Sequence, residues 1–395
     1  MKNKTSFLTD IKQNLPSGLV VFLVALPLCL GIALASGAPP LSGIIAGIIG
    51  GLVIGFLSNS HISVSGPAAG LAAIVLVGIS DLGSFELFLV AGIIAGIIQL
   101  ILGFVRAGSI SNYFPNNVIE GMLAGIGVII ILKQIPHAVG YDKDFEGNQR
   151  IFDGFNLTEY VTNLSNAISP GAIVITLVSL GILLTWEKIP ALKKIKMLPG
   201  ALVAVAVGIL LNEVFKGSSL EIAKEHLVTL PVPESAEDFK NLITFPDFTG
   251  FMNPKVWILG ATIAIVASIE TLLCIEASDR MDAHKRITDT NLELKAQGIG
   301  NLISAMIGGL PMTSVVVRSS ANANAGATSK TSAIIHGVFM LICVLTIPFL
   351  LNKIPLATLA AVLLLVGYKL ASPSKLKHFW AKGKYQFLPF IATLI

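Results

Sequence analysis

Long apolar runs recur along this chain, separated by short polar or glycine- and proline-rich joints. A helix needs ~20 apolar residues, at 1.5 Å rise each, to cross a hydrocarbon layer of ~30 Å. The pattern predicts helices over 15–36, 41–57, 85–104, 118–135 and 172–186, and one ending near residue 211. In the second half it predicts helices over 256–278, 296–307, 331–351 and 356–370. Two places break the rhythm in the same way: HISVSGPAAG from His61 to Gly70, and PMTSVVVRSSANANAG from Pro311 to Gly326. In each, β-branched residues alternate with or lead into small polar ones before an apolar or small-residue helix begins. The expected structure is a short strand followed by a half-helix, once from Ser65 to about residue 79 and once from near Ser319, with Val315, Val316 and Val317 in the second strand.

Irregular backbone at membrane depth is tolerated only where protein buries it or water reaches it. A helix that starts there carries unpaired N–H groups and about half a positive charge, so it attracts an anion. Arg318 strengthens the case, because a central arginine costs roughly 2.5–3.5 kcal/mol on insertion scales and needs a polar partner. Two interrupted segments at matching places in two halves of a chain are the pattern of a binding site between inverted repeats. Pro27, in the middle of the first helix, marks either a break lining such a site or a packing kink.

Composition agrees with a polytopic helical membrane protein: 54% of the 395 residues are hydrophobic and only 13% charged, against about a quarter charged in soluble domains. The net charge of +4 comes from basic loops around Arg106, Lys188–Lys196, Arg280–Lys295 and Lys369–Lys384, which alternate with acidic loops around Asp142 and Glu221. That alternation places the N-terminus in the cytoplasm, with the inner membrane as the expected location, and no nucleic-acid surface is indicated. Cys29, Cys274 and Cys343 lie far apart inside predicted spans, as packing residues do. No nucleophile, metal or phosphate-loop constellation is present, so neither an enzyme nor a cofactor is expected, and energy must come from an ion or anion gradient.

The stretches GLVVFLVALPLCLGIALASGAPPLSGIIAG, SVSGPAAG, SIETLLCIEASDRMDAHKRITDTNLELKAQGIGN and GGLPMTSVVVRSSANANAGATSKTSAIIHG occur in this order. They resemble the sulfate permease (SulP) family of inorganic anion transporters along essentially the whole chain. The resemblance implies an all-α polytopic fold of seven-plus-seven inverted repeats, with two short strands before half-helices 3 and 10. It implies a cytoplasmic tail (1–14), a core domain from segments 1–4 (15–105) and 8–11 (255–351), and a gate domain from segments 5–7 (106–215) and 12–13 (352–395). An extracytoplasmic polar loop covers 216–254. Relative to the family, the last membrane segment and the usual C-terminal STAS domain are expected to be missing.

By the same resemblance the anion would sit between the N-termini of half-helices 3 and 10, at Ser65, Gly66, Pro67 and Ala68 and at Arg318, Ser319 and Ser320. Pro27 and Leu28 would line it from helix 1, where many sulfate-type members carry glutamine in place of Leu28. That change favours a smaller or more weakly hydrated anion such as bicarbonate. Glu270, near the midplane, costs several kcal/mol there unless protonated or paired. It is therefore the candidate for cation coupling, by proton or sodium, or else one half of an ion pair with Arg318. Sodium-coupled relatives place a hydroxyl one turn later, where this chain has Cys274, a poor ligand for a hard cation. The charges from Glu276 to Arg286 read as a solvated, paired loop, and Asn322 and Asn324 as structural. His61 and His336 read as packing residues and Glu120 as interfacial. A homodimer in lipid is expected. The competing readings are a nucleobase–cation symporter of the same fold, and a channel-like or non-transporting anchor for a partner such as a carbonic anhydrase.

Overall fold

The computed structural model describes residues 7–109, 116–141, 169–189, 199–230 and 243–394. The expected acidic residues from Asp142 to Glu159, and Lys193, Lys194 and Lys196 of the basic loop, lie outside them. Helix α1 (Phe7–Ala35) begins earlier than the apolar run and continues through both Pro16 and Pro27. Helix α2 (Pro40–Ile49) passes through a π turn (Gly50–Ile54) into a last helical turn (Gly55–Leu57). Strand β1 (Ser65–Pro67) leads to α3 (Ala69–Leu82), followed by α4 (Phe85–Phe104), α5 (Asn116–Val139), α6 (Pro170–Lys188) and α7 (Gly200–Phe215). The second half contains α8 (Pro254–Met281), α9 (Thr290–Met306), β2 (Met312–Ser314), α10 (Val316–Asn324) and α11 (Thr331–Thr346). It closes with α12 (Leu356–Leu370), α13 (Pro373–Ala381) and α14 (Lys384–Leu394).

The two half-helices are real and short. At 14 and 9 residues they are ~21 and ~14 Å long, too short to cross a bilayer, and each is completed by the strand leg before it. Among the described residues five helices are long and apolar enough to span, so this is a multi-pass membrane protein. β1 and β2 pair antiparallel, with Ser65 opposite Ser314, Gly66 opposite Thr313 and Pro67 opposite Met312. Antiparallel pairing is what two repeats of opposite topology require when their crossover strands meet.

Both half-helix starts differ from expectation. Ser65, Gly66 and Pro67 are strand, not the first helical turn, and α3 starts at Ala69. Proline is acceptable in this two-stranded ribbon because its missing N–H faces no ladder partner it must satisfy. In the second copy the strand ends at Ser314 and α10 already starts at Val316, which puts Arg318 in its first turn. β-branched valines favour strands only weakly, and tertiary pairing ends the ribbon sooner.

Close helix contact is made through glycine. At the α4–α9 crossing a Cβ on Gly298 would lie 2.7 Å from the Leu100 nitrogen and 2.8 Å from the Gly96 oxygen. Both obstacles are backbone and cannot swing aside. Gly298→Ala is therefore expected to destabilise the protein by ~1–3 kcal/mol, the usual cost of overpacking. Gly181→Ala on α6, where nothing lies within 4 Å, should be neutral or mildly stabilising. Thermal unfolding of the two variants in detergent checks the contrast.

At the end of α8 and in the loop after it the charges are paired as expected. Glu276 pairs with Arg280, and Arg286 Nε lies 2.6 Å from Asp282. Arg286 also donates to the Thr328 carbonyl at 3.0 Å, tying this loop to the end of α10. The Arg286 side-chain hydrogen bond, helped by the backbone N–H groups of His284 and Arg286, holds the Asp282 carboxyl well below the usual carboxylate range. A lowered value means that this stabilisation is present above the unfolded-state value of ~4 and fades as pH falls below it. The Tm advantage of wild type over Asp282→Asn should be full at pH 7 and shrink as pH drops below about 4.

Candidate anion site

Neither half-helix is capped by a side chain. The N-cap of α3 is Ala68 and that of α10 is Val315, and neither makes a side-chain capping bond. Alanine and valine are among the poorest N-caps. Neither N-cap side chain therefore satisfies an N–H of its own helix, near the point where β1 and β2 pair.

Helix α8 reaches both of these ends. The Glu270 carboxylate packs on Gly70 in the first turn of α3, where an added Cβ would lie 2.6 and 2.7 Å from its two oxygens. Its Oε2 is buried with no hydrogen-bond partner among the described residues. One turn later the backbone of Val316, the first residue of α10, hydrogen-bonds the Cys274 thiol. Between them, Thr271 Oγ1 accepts from the Ser314 N–H at 3.3 Å. A single helix face thus touches the starts of both half-helices.

Arg318 is fully buried and forms no ion pair with Glu270, so the pairing considered for these two residues does not occur. Its guanidinium lies across β1: a Cβ on Gly66 would be 1.9 Å from Nη1. Nη2 donates to Cys29 Sγ at 3.3 Å, a weak acceptor, and to the Pro67 carbonyl at 3.4 Å, a long bond. Among the described residues Nε and Nη1 have no hydrogen-bond partner. Only glycine at position 66 leaves room for this arrangement.

The expected site residues divide between the β1–α3 junction and scaffold positions. Gly66, Pro67, Ala68 and Arg318 come together at the β1–α3 junction. Ser65 sits on the other face of its strand, since successive residues alternate, and its Oγ accepts from Gln297 Nε2 at 2.6 Å. Ser319 is used at both ends, donating to the Val315 carbonyl at 2.9 Å and accepting from the Val64 N–H at 3.1 Å. Asn322 Nδ2 donates to the Ile62 carbonyl at 2.9 Å, a structural role as expected. Ser320 is half-buried and accepts from Asn324 at 3.3 Å. Pro27 is buried within α1, but Leu28 packs with Leu183, Ala204, Ala361 and Val362 of α6, α7 and α12. The α1 residue that meets Arg318 is Cys29.

Sequence reasoning missed Gly70, Cys29 and a polar stripe on α9. Glu293, Gln297 and Asn301 are spaced by four and at most 1% exposed, although the expected helix starts only at residue 296, which leaves Glu293 in the charged loop before it. Asp289 starts this helix early by accepting from the Asn291 and Leu292 N–H groups at 2.9 and 3.1 Å. The i, i+4, i+8 spacing of polar residues was the available signal.

The sequence model of the Sulfate permease family matches residues 11–393. YvdB of Bacillus subtilis (strain 168) is 30% identical over 371 residues, covering 92% of this chain and 65% of its own length. The bicarbonate transporter BicA of Picosynechococcus sp. (strain ATCC 27264 / PCC 7002 / PR-6) is 25% identical over 389 residues, covering 95% and 64%. The chain therefore spans slightly less than two thirds of the length of these relatives. Among solved structures, the transmembrane domain of a cyanobacterium bicarbonate transporter BicA superposes with a TM-score of 0.81 at 22% identity, over 99% of this chain and 96% of that one. At that identity the likeness concerns the fold.

Proposed function

This chain belongs to the sulfate permease family, and from that premise we propose that it is a secondary active transporter or exchanger of small inorganic anions, with bicarbonate or sulfate as cargo. The observation that carries the reading is the meeting of two uncapped half-helix starts beside a buried arginine with two unpartnered nitrogens. Converging N–H groups and a guanidinium form a compact positive site. The Ser65 and Ser319 hydroxyls are occupied by the scaffold, so in this reading backbone N–H groups and the field of Arg318 hold the anion. Segments 1–4 and 8–11 would carry the site as a core, moving against a gate of the remaining helices. The N-terminus would lie in the cytoplasm, in an inner-membrane homodimer.

Glu270 is the coupling group in this scheme. It faces the α3 start, and Cys274 one turn later offers a thiol where a hard cation wants oxygen, which favours proton over sodium. The test is uptake of labelled bicarbonate and sulfate into proteoliposomes under imposed proton or sodium gradients, with uracil as competitor. Uptake of either anion, insensitive to uracil, is the expected result. Uptake of neither, or competition by uracil, would overturn the reading in favour of an anchor or a nucleobase carrier.

A further inference from the structure

Glu293 is a buried acid that the transport scheme leaves without a task. It is fully buried and its carboxylate accepts from the Ser58 hydroxyl and, at 3.0 Å, from Gln297 Nε2. No ion pair to it occurs among the described residues. A carboxylate kept inside a membrane protein without a cation is costly, and such residues are retained where they do work.

Its bonds show what that work is. Gln297 Nε2 spends one hydrogen on Glu293 and the other on Ser65 Oγ, at 2.6 Å, on β1. One turn further along α9, Asn301 grips both backbone groups of Met312 on β2: its Oδ1 accepts from the N–H at 2.6 Å and its Nδ2 donates to the carbonyl at 3.1 Å. Asn301 is itself held by Gln99 Oε1 of α4 at 2.7 Å. One stripe of α9 therefore bolts down both strands, one residue per strand, each bolt backed by a further buried polar group. The other face of β1 is occupied by Arg318, against Gly66. β1 leads directly into α3, and β2 into α10. A shift in either strand moves an N-terminus that would hold the anion, and sub-ångström placement is what such a site needs.

We infer that Gln297 and Asn301, backed by Glu293 and Gln99, are positioning residues that set the separation and tilt of the two half-helix starts and thereby the affinity for the anion. The inference rests on the transport reading above. It assigns the Ser65 hydroxyl to the mount and not to the cargo.

The experiment is a double-mutant cycle with Ser65→Ala, Gln297→Leu and the double variant, in purified folded protein. Two readouts are taken: KM and maximal rate of anion uptake, and hydrogen exchange of the backbone over 59–72. Losing one buried hydrogen bond should raise KM roughly three- to tenfold with a smaller change in maximal rate, and should speed exchange over 59–72. Ser65→Ala should add nothing in the Gln297→Leu background, because the two share one bond. Additive KM effects would overturn the inference and make Ser65 a direct ligand. Unchanged KM with unchanged exchange would overturn it as well, leaving Gln297 as ordinary packing. If wild type carries neither anion, the transport reading fails, and the exchange data alone decide the mount: faster exchange in both single variants without addition supports it, and no change refutes it. Should Gln297→Leu fail to fold, Ser65→Ala alone decides the question: a raised KM with faster exchange over 59–72 supports the mount, a raised KM with unchanged exchange makes Ser65 a direct ligand, and no change in either refutes the inference.

Discussion

Arg318→Ala is expected to abolish anion uptake while leaving the protein inserted and folded. The guanidinium is fully buried, its two hydrogen bonds go to a thiol at 3.3 Å and a carbonyl at 3.4 Å, and among the described residues Nε and Nη1 have no hydrogen-bond partner. A buried cation this poorly matched is unfavourable in the protein alone, and in the proposed scheme an arriving anion would restore the balance. Hydrogen bonds to charged groups contribute ~1.5–3 kcal/mol, so the loss in uptake efficiency should be ~10- to 150-fold at the least. Folding should not suffer in proportion, since the substitution also removes an insertion cost of roughly 2.5–3.5 kcal/mol. Arg318→Lys should recover little, because a point charge cannot reproduce the planar fork lying on Gly66. Uptake kinetics and size-exclusion profiles measured together check this. Unchanged kinetics in the alanine variant would remove Arg318 from the mechanism.

The same residue shows what the sequence could and could not reveal. That Arg318 needed a polar partner followed from its place in an apolar chain, and the interrupted strand and half-helix followed from the alternation of Ile62 and Val64 with serines and from the run Val315, Val316 and Val317. Where each half-helix begins did not follow. A three-residue strand is ended by its pairing partner and not by its own propensity, so Pro67 went to the strand and Val316 to the helix. Nor could the sequence show which face a serine takes in a strand whose register was unknown. Ser65 and Gly66 are neighbours, yet one meets Gln297 and the other Arg318. Glycines told more once placed: Gly66 read in sequence as a helix-start residue and Gly70 carried no signal, and in the fold they are the clearances for Arg318 and Glu270. The polar stripe from Glu293 to Asn301 was legible by spacing alone, but charge-rich surroundings made it look like a loop.

Glu270→Gln is expected to uncouple uptake from the proton gradient without removing uptake itself. Both Glu270 oxygens lie against the first turn of α3, and Oε2 has no partner. A negative carboxylate there is attracted by the same helix end that would receive the cargo, and the two negative charges repel each other. Protonating Glu270 relieves that conflict, so proton and anion should enter together. Glutamine keeps the shape but is permanently neutral, which fixes the site in its anion-accepting form. Wild-type uptake should rise with an inward proton gradient, by up to about tenfold per unit of pH imposed. The glutamine variant should give one rate with or without the gradient, and its KM should stay near or below the wild-type value at low proton concentration. A glutamine variant that still responded to protons would place the coupling group elsewhere. Stimulation of wild type by sodium alone would show that oxygens other than the residue 274 side chain build a cation site beside α8.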